Sequence, residues 1–237
     1  QLLYSVISFL LPAFVYSYLT EERPLRDVGI YKKTSVSAAL LAVLILLASL
    51  PLVGVLADWN QHIRFPAGLD ASIRELQKQA EAMTRAFLRM PGIVSLVFNL
   101  FMIALIPAIA EEWFFRAALQ RLLIRATGAA WAGIGLSAVV FSLLHGEMLG
   151  FFPRIALGVL LGLIYFLSGN LWLSVLAHFF NNGMQVLLVY LFQHHHIAYD
   201  VSKDQAVPWF SGLISLGFVV ALFYLFRKFT AKDNAIS

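Results

Sequence analysis

The chain has 237 residues, of which 60% are hydrophobic and only 13% charged, and its mean hydropathy is +0.80. A soluble domain carries roughly 45–50% apolar and about 25% charged residues, so this composition describes an integral membrane protein. The absence of cysteine excludes disulfides, thiolate metal sites and a cysteine nucleophile, while a net charge of +4 spread over loops and helix ends fits topology signals better than nucleic-acid binding.

Apolar runs that read as spans are Leu2–Leu19, Val36–Leu56, Ile93–Leu119, Trp131–His145, Phe151–Leu167, Leu171–Phe192 and Trp209–Phe226. The Trp131 and Phe151 runs fall short of the roughly 20 residues a span needs. Gln1 begins almost inside an apolar run, which leaves room for an eighth span before it, and no cleavable signal-peptide pattern follows. A barrel would need short alternating strands, and neither these nor an internal repeat is visible. The expected fold is all-α: a polytopic transmembrane bundle of about seven or eight helices, one integral-membrane domain over 1–237 with its motif-bearing core at 93–192.

The Asp58–Gly92 connection carries Ile73, Leu76, Ala80, Met83, Phe87 and Met90 at alternating spacings of three and four, with Arg74, Glu75, Lys78, Glu81, Arg85 and Arg89 between them. That periodicity predicts an amphipathic helix lying along the membrane interface or capping the bundle. Charge sets an expected orientation. Glu21–Lys33, Arg121–Arg125 and Arg227–Lys232 put nine Lys/Arg on one side against six on the other, which favours a cytoplasmic C-terminus.

The run Ala110-Glu111-Glu112-Trp113-Phe114-Phe115-Arg116 places two carboxylates and an arginine within a predicted span. An ionised group at bilayer depth costs about 3 kcal/mol or more, so such groups mark functional sites or a bracing ion cluster. Residues four apart share a helix face, so Arg116 faces Glu112 and leaves Glu111 pointing elsewhere. A partly desolvated carboxylate of that kind suits a general base. His178 and Asn182 likewise share a face, with Asn181 expected to turn away. They form either interhelical hydrogen-bonding glue or a site.

Depth decides whether these groups can meet. Glu111 lies fourteen residues before Arg125, and His145 lies fourteen after Trp131. Both therefore lie about 21 Å from the turn joining the two helices. His178 and Asn182 lie about 12 and 18 Å from the Ser168–Asn170 turn on the same side. A carboxylate and a histidine at one depth can deprotonate a water that attacks a carbonyl, and an imidazole with an amide can stabilise the resulting oxyanion. No G-x-S-x-G or HExxH motif is present.

Glu111-Glu112-x-x-x-Arg116, Phe141-x-x-x-His145 and His178-x-x-x-Asn182, in that order, resemble the three motifs of the CPBP intramembrane protease family, which includes CAAX prenyl endopeptidases and bacteriocin-processing or immunity proteins. Pro107-Ala108-Ile109-Ala110 and Gly150-Phe151-Phe152-Pro153-Arg154 resemble its bacterial branch. The resemblance implies a glutamic endopeptidase of the cell membrane that needs no metal or other cofactor. Glu111 and His145 would activate water, His178 and Asn182 would form the oxyanion hole, and Glu112 and Arg116 would support the site. It further implies a peptide or protein substrate, lipidated or not, a lipid surround, no nucleic acid, and access from the cytoplasmic side. Phe141 is expected to orient His145, and Arg154 to bind a carboxylate or brace the bundle. His194-His195-His196 is expected to be a solvated loop. The residues alone leave two alternatives: a zinc protease built on His145, His178 and a glutamate, and a non-catalytic immunity or scaffold protein.

Overall fold

In lipid a backbone must satisfy its own hydrogen bonds, and this chain does so with helices. The computed structural model describes residues 2–198 and 207–236, among which there is no strand. The long helices are α1 (Leu2–Thr20), α2 (Val36–Gln61), α3 (Ala67–Phe87), α4 (Ile93–Thr127), α5 (Ala130–Leu144), α6 (Phe151–Ser168), α7 (Leu171–Gln193) and α8 (Trp209–Ile236). Side-chain caps start two of them: Ser35 Oγ accepts from Ala38 N–H at 3.2 Å, and Asn170 Oδ1 accepts from Trp172 N–H at 2.9 Å.

Among the described residues six helices are long and apolar enough to cross a membrane: α1, α2, α4, α6 with the turn before it, α7 and α8. The Trp131–His145 run forms α5, whose 15 residues rise only about 22 Å, short of the roughly 30 Å hydrocarbon layer. Among the described residues the structure supports six spans by length and does not confirm the seven or eight expected from the apolar runs.

The bundle closes on small residues. Ala38 and Ala42 of α2 let that helix approach Leu160, Leu161 and Ile164 of α6, Ala177 of α7 and Phe226 of α8, all in one buried cluster. Gly158 of α6 lies so close to α5 that an added Cβ would stand 2.8 Å from Ala138 Cβ. A second cluster joins Phe9 of α1 to Ala110 and Phe115 of α4 and Phe141 of α5.

α4 departs from regular α geometry twice. Leu100–Leu105 and Trp113–Gln120 are π-helical and flank the α-helical Ile106–Glu112. Pro107, with no N–H to donate back to Ile103, sits just after the first wide segment. The two glutamates thus lie where the helix changes pitch, a place where functional residues are often found.

The predicted amphipathic helix is α3, but its apolar face does not cap the bundle. Ile73 is buried, whereas Leu76, Met83 and Phe87 are 62, 63 and 62% exposed. The end of α7 anchors the turn that follows α3. Gln193 accepts from Met90 N–H at 3.0 Å and donates to Leu88 O at 2.8 Å, and His194 Nε2 lies 3.0 Å from Met90 O. His194 is therefore engaged, while His195 and His196 are exposed.

Candidate active site

Residues of α2, α4, α5, α6 and α7 build a cavity of about 290 Å³ inside the bundle. Its polar wall contains Glu111 from α4, His145 from the end of α5, Arg154 from the first turn of α6, and His178, Asn181, Asn182 and Gln185 from α7. Its apolar wall includes Leu46, Ile103, Leu157 and Leu161. The four residues expected to carry chemistry, Glu111, His145, His178 and Asn182, therefore line one space. Glu112 and Arg116 do not line it; both lie behind it with no solvent exposure.

Glu112 organises the rear of the site. Its Oε2 accepts from Arg116 Nε at 2.9 Å, the ion pair expected from the spacing of four. Its Oε1 accepts from His178 Nδ1, also at 2.9 Å, a contact between α4 and α7 that no local spacing announces. Among the described residues the remaining Arg116 nitrogens find no hydrogen-bond partner, but the guanidinium carbon lies 5.4 Å from the Phe141 ring centroid and 6.0 Å from that of Phe115. Such placement over aromatic rings offsets part of the cost of a buried cation.

His178 links the two carboxylates. With Nδ1 on Glu112, its Nε2 is 3.9 Å from Glu111 Oε2. His145 is held differently. Its Nδ1 lies 2.7 Å from Phe141 O, and a carbonyl can only accept, so Nδ1 carries the proton and Nε2 presents its lone pair. The Phe141 ring packs 4.6 Å from that of His145 and 6.1 Å from that of His178. Phe141 thus orients His145 through its backbone as well as its ring. Gly146 turns the chain immediately afterwards with φ +71°, which favours glycine.

Two residues of the polar wall escaped the sequence reading. Asn181, expected to turn away, lines the cavity, and its Nδ2 donates to Asn182 Oδ1 at 3.2 Å. Gln185 joins it there. The signal was available: His178, Asn181, Asn182 and Gln185 stand at i, i+3, i+4 and i+7, and residues three apart share a helix face as residues four apart do. Arg154 donates to Glu147 O at 3.0 Å and forms an ion pair with the Glu147 carboxylate, so it braces the turn after His145 while still reaching the cavity wall. Among the described residues, no three His, Cys, Asp or Glu side chains are grouped as a metal-ligand set.

Residues 93–184 match the family model of the Type II CAAX prenyl endopeptidase Rce1-like proteins. The matched stretch runs from the start of α4 into α7 and includes Glu111, Glu112, Arg116, His145, His178 and Asn182. It supports a peptidase of the CAAX type and carries nothing toward a bacteriocin-processing branch. No curated protein and no solved structure matches the chain.

Proposed function

We propose that the protein is an intramembrane glutamic endopeptidase that hydrolyses a peptide bond of a membrane-associated substrate without a covalent intermediate. The observation that carries this reading is the meeting of Glu111, His145, His178 and Asn182 on one cavity, within the stretch that resembles CAAX endopeptidases. Glu111 and the Nε2 lone pair of His145 take the proton from a water whose oxygen attacks the substrate carbonyl carbon. The carbonyl π electrons move onto oxygen, and Asn182 donates to that oxyanion from the amide nitrogen left after its Oδ1 accepts from Asn181. His178 donates from Nε2, which it does as the imidazolium, its charge balanced by Glu112 on one side and Glu111 on the other. The C–N bond then breaks, the abstracted proton passes to the leaving amine, and a carboxylic acid and an amine result.

The apolar wall of Leu46, Ile103, Leu157 and Leu161 suits a lipidated or otherwise apolar peptide, so the first substrate class to try is a prenylated C-terminal peptide. The proposed location is the cell membrane, with the cavity reached from the cytoplasmic side. The test is turnover of a farnesylated CAAX-type peptide by protein reconstituted in vesicles. Glu111→Gln is expected to lower kcat by about 10²-fold or more while thermal stability stays close to wild type. Wild-type turnover by that variant overturns the reading.

A further inference from the structure

We propose that Asn60, in the last turn of α2, is a positioning residue for His145. It lies outside the stretch similar to known endopeptidases, and its assigned effect rests on the peptidase reading of His145. Asn60 is completely buried although its neighbour Trp59 is 54% exposed. A buried primary amide needs both a donor and an acceptor partner, and Asn60 finds both on one short loop. Its Nδ2 donates to Met148 O at 2.9 Å, and its Oδ1 accepts from Phe152 N–H at 2.9 Å.

These two backbone groups bracket the Met148–Gly150 turn that joins His145 to α6. Phe152 N–H is a first-turn amide with no acceptor inside its own helix, and the residue preceding α6 is Gly150, which has no side chain to cap it. Asn60 supplies the missing cap from α2. Trp59 adds a ring contact to Phe152 at 4.9 Å between centroids.

The rest of the loop is held from within α5 and α6. Ser142 Oγ donates to Phe151 O at 2.8 Å, and Arg154 holds Glu147. Asn60 ties this unit to α2, the helix that contributes Leu46 to the cavity wall. Because His145 lies only three residues before Met148, a shift of the loop moves the imidazole relative to Glu111. An amide is required for this clamp. Aspartate keeps the acceptor for Phe152 N–H but sets an oxygen against Met148 O, and alanine loses both bonds.

The test compares the full chain in detergent as wild type, Asn60→Ala and Asn60→Asp by two readouts. The first is ¹⁵N NMR of the imidazoles in histidine-labelled protein, with the His145 signals assigned by their loss in His145→Gln. The expected wild-type pattern is a single Nδ1–H tautomer, and in Asn60→Ala those signals split or average between tautomers while the His178 signals stay in place. The second is turnover of a farnesylated CAAX-type peptide, where kcat is expected to fall about tenfold or more with KM within about twofold, and Asn60→Asp to fall between. His145 signals unchanged in Asn60→Ala, or an unchanged kcat, overturn the proposal. Equal loss of kcat, apparent substrate affinity and all histidine signals marks a purely structural residue and overturns it too. If Asn60→Ala does not fold, Asn60→Asp decides by the same criteria. If wild type does not cleave the peptide, the peptidase reading loses its support and the NMR readout alone decides the clamp.

Discussion

Glu112 engages Arg116 and His178 through two different oxygens, and its consequences are those of a buried charge held by its partners. Removing one partner leaves the other desolvated and unpaired. Arg116→Leu is therefore expected to destabilise the protein by about 3–5 kcal/mol, as read by thermal or denaturant unfolding in detergent. The double variant Glu112→Leu/Arg116→Leu should cost less than the sum of the two single changes, because Arg116 is then not stranded and only His178 Nδ1 loses its acceptor. Additive costs would show that the pair contributes nothing jointly. The Glu112–Arg116 contact was legible in the sequence because a spacing of four fixes it within one helix. The Glu112–His178 contact was not, since it depends on how α4 rotates against α7. The inward turn of Asn181 was misread by treating only i+4, and not i+3, as the shared face.

At the scale of elements, α3 presents the clearest mismatch between pattern and packing. Its periodicity announced the helix, yet only Ile73 turns inward, while Leu76, Met83 and Phe87 form a stripe facing away from the protein. A stripe of this kind at the end of two membrane spans belongs against lipid. A fluorescent label at Leu76 or Met83 is expected to be quenched by a lipid-borne quencher and shielded from a water-borne one, with a label at Lys78 behaving in the opposite way. Equal water-borne quenching at all three positions would place the helix in solution. The π-helical segments of α4 had only one sequence signal, Pro107, because a change of pitch depends on neighbouring helices that resatisfy the freed carbonyls. The length of α5 was legible as a run too short to span, and the structure keeps it so.

For the whole molecule, the order of crossings links the cavity to the chain's orientation. Between the Met148–Gly150 turn and the far end of α8 lie three helices, each long enough to cross, so the turn and that end face opposite sides. Cytoplasmic access beside His145 and a cytoplasmic end of α8 therefore exclude each other, although the sequence suggested both. The charge difference that favours the latter is nine against six, whereas the peptidase proposed above, reached from the cytoplasm, favours the former. A reporter fused after Ile236 is accordingly expected outside the cytoplasm, and one inserted between His62 and Pro66 inside it; the reverse pattern would deny cytoplasmic access through this end. A chelator is expected to leave turnover unchanged, and stoichiometric zinc by elemental analysis together with chelator-sensitive activity would shift the mechanism to the metal.

Sequence alone determined that this chain lives in a membrane as helices, that Glu112 pairs with Arg116, and that Glu111, His145, His178 and Asn182 lie at compatible depths. Each of these follows from composition, helical period or rise per residue, which are local quantities. Tertiary structure decided which groups touch: His178 on Glu112, Asn181 and Gln185 on the cavity wall, and Asn60 on the loop beside His145. Those contacts depend on the rotation and crossing of helices distant in the chain, set by packing such as Gly158 on Ala138 and the cluster that gathers Ala42 and Leu161, and no periodicity along one helix encodes them.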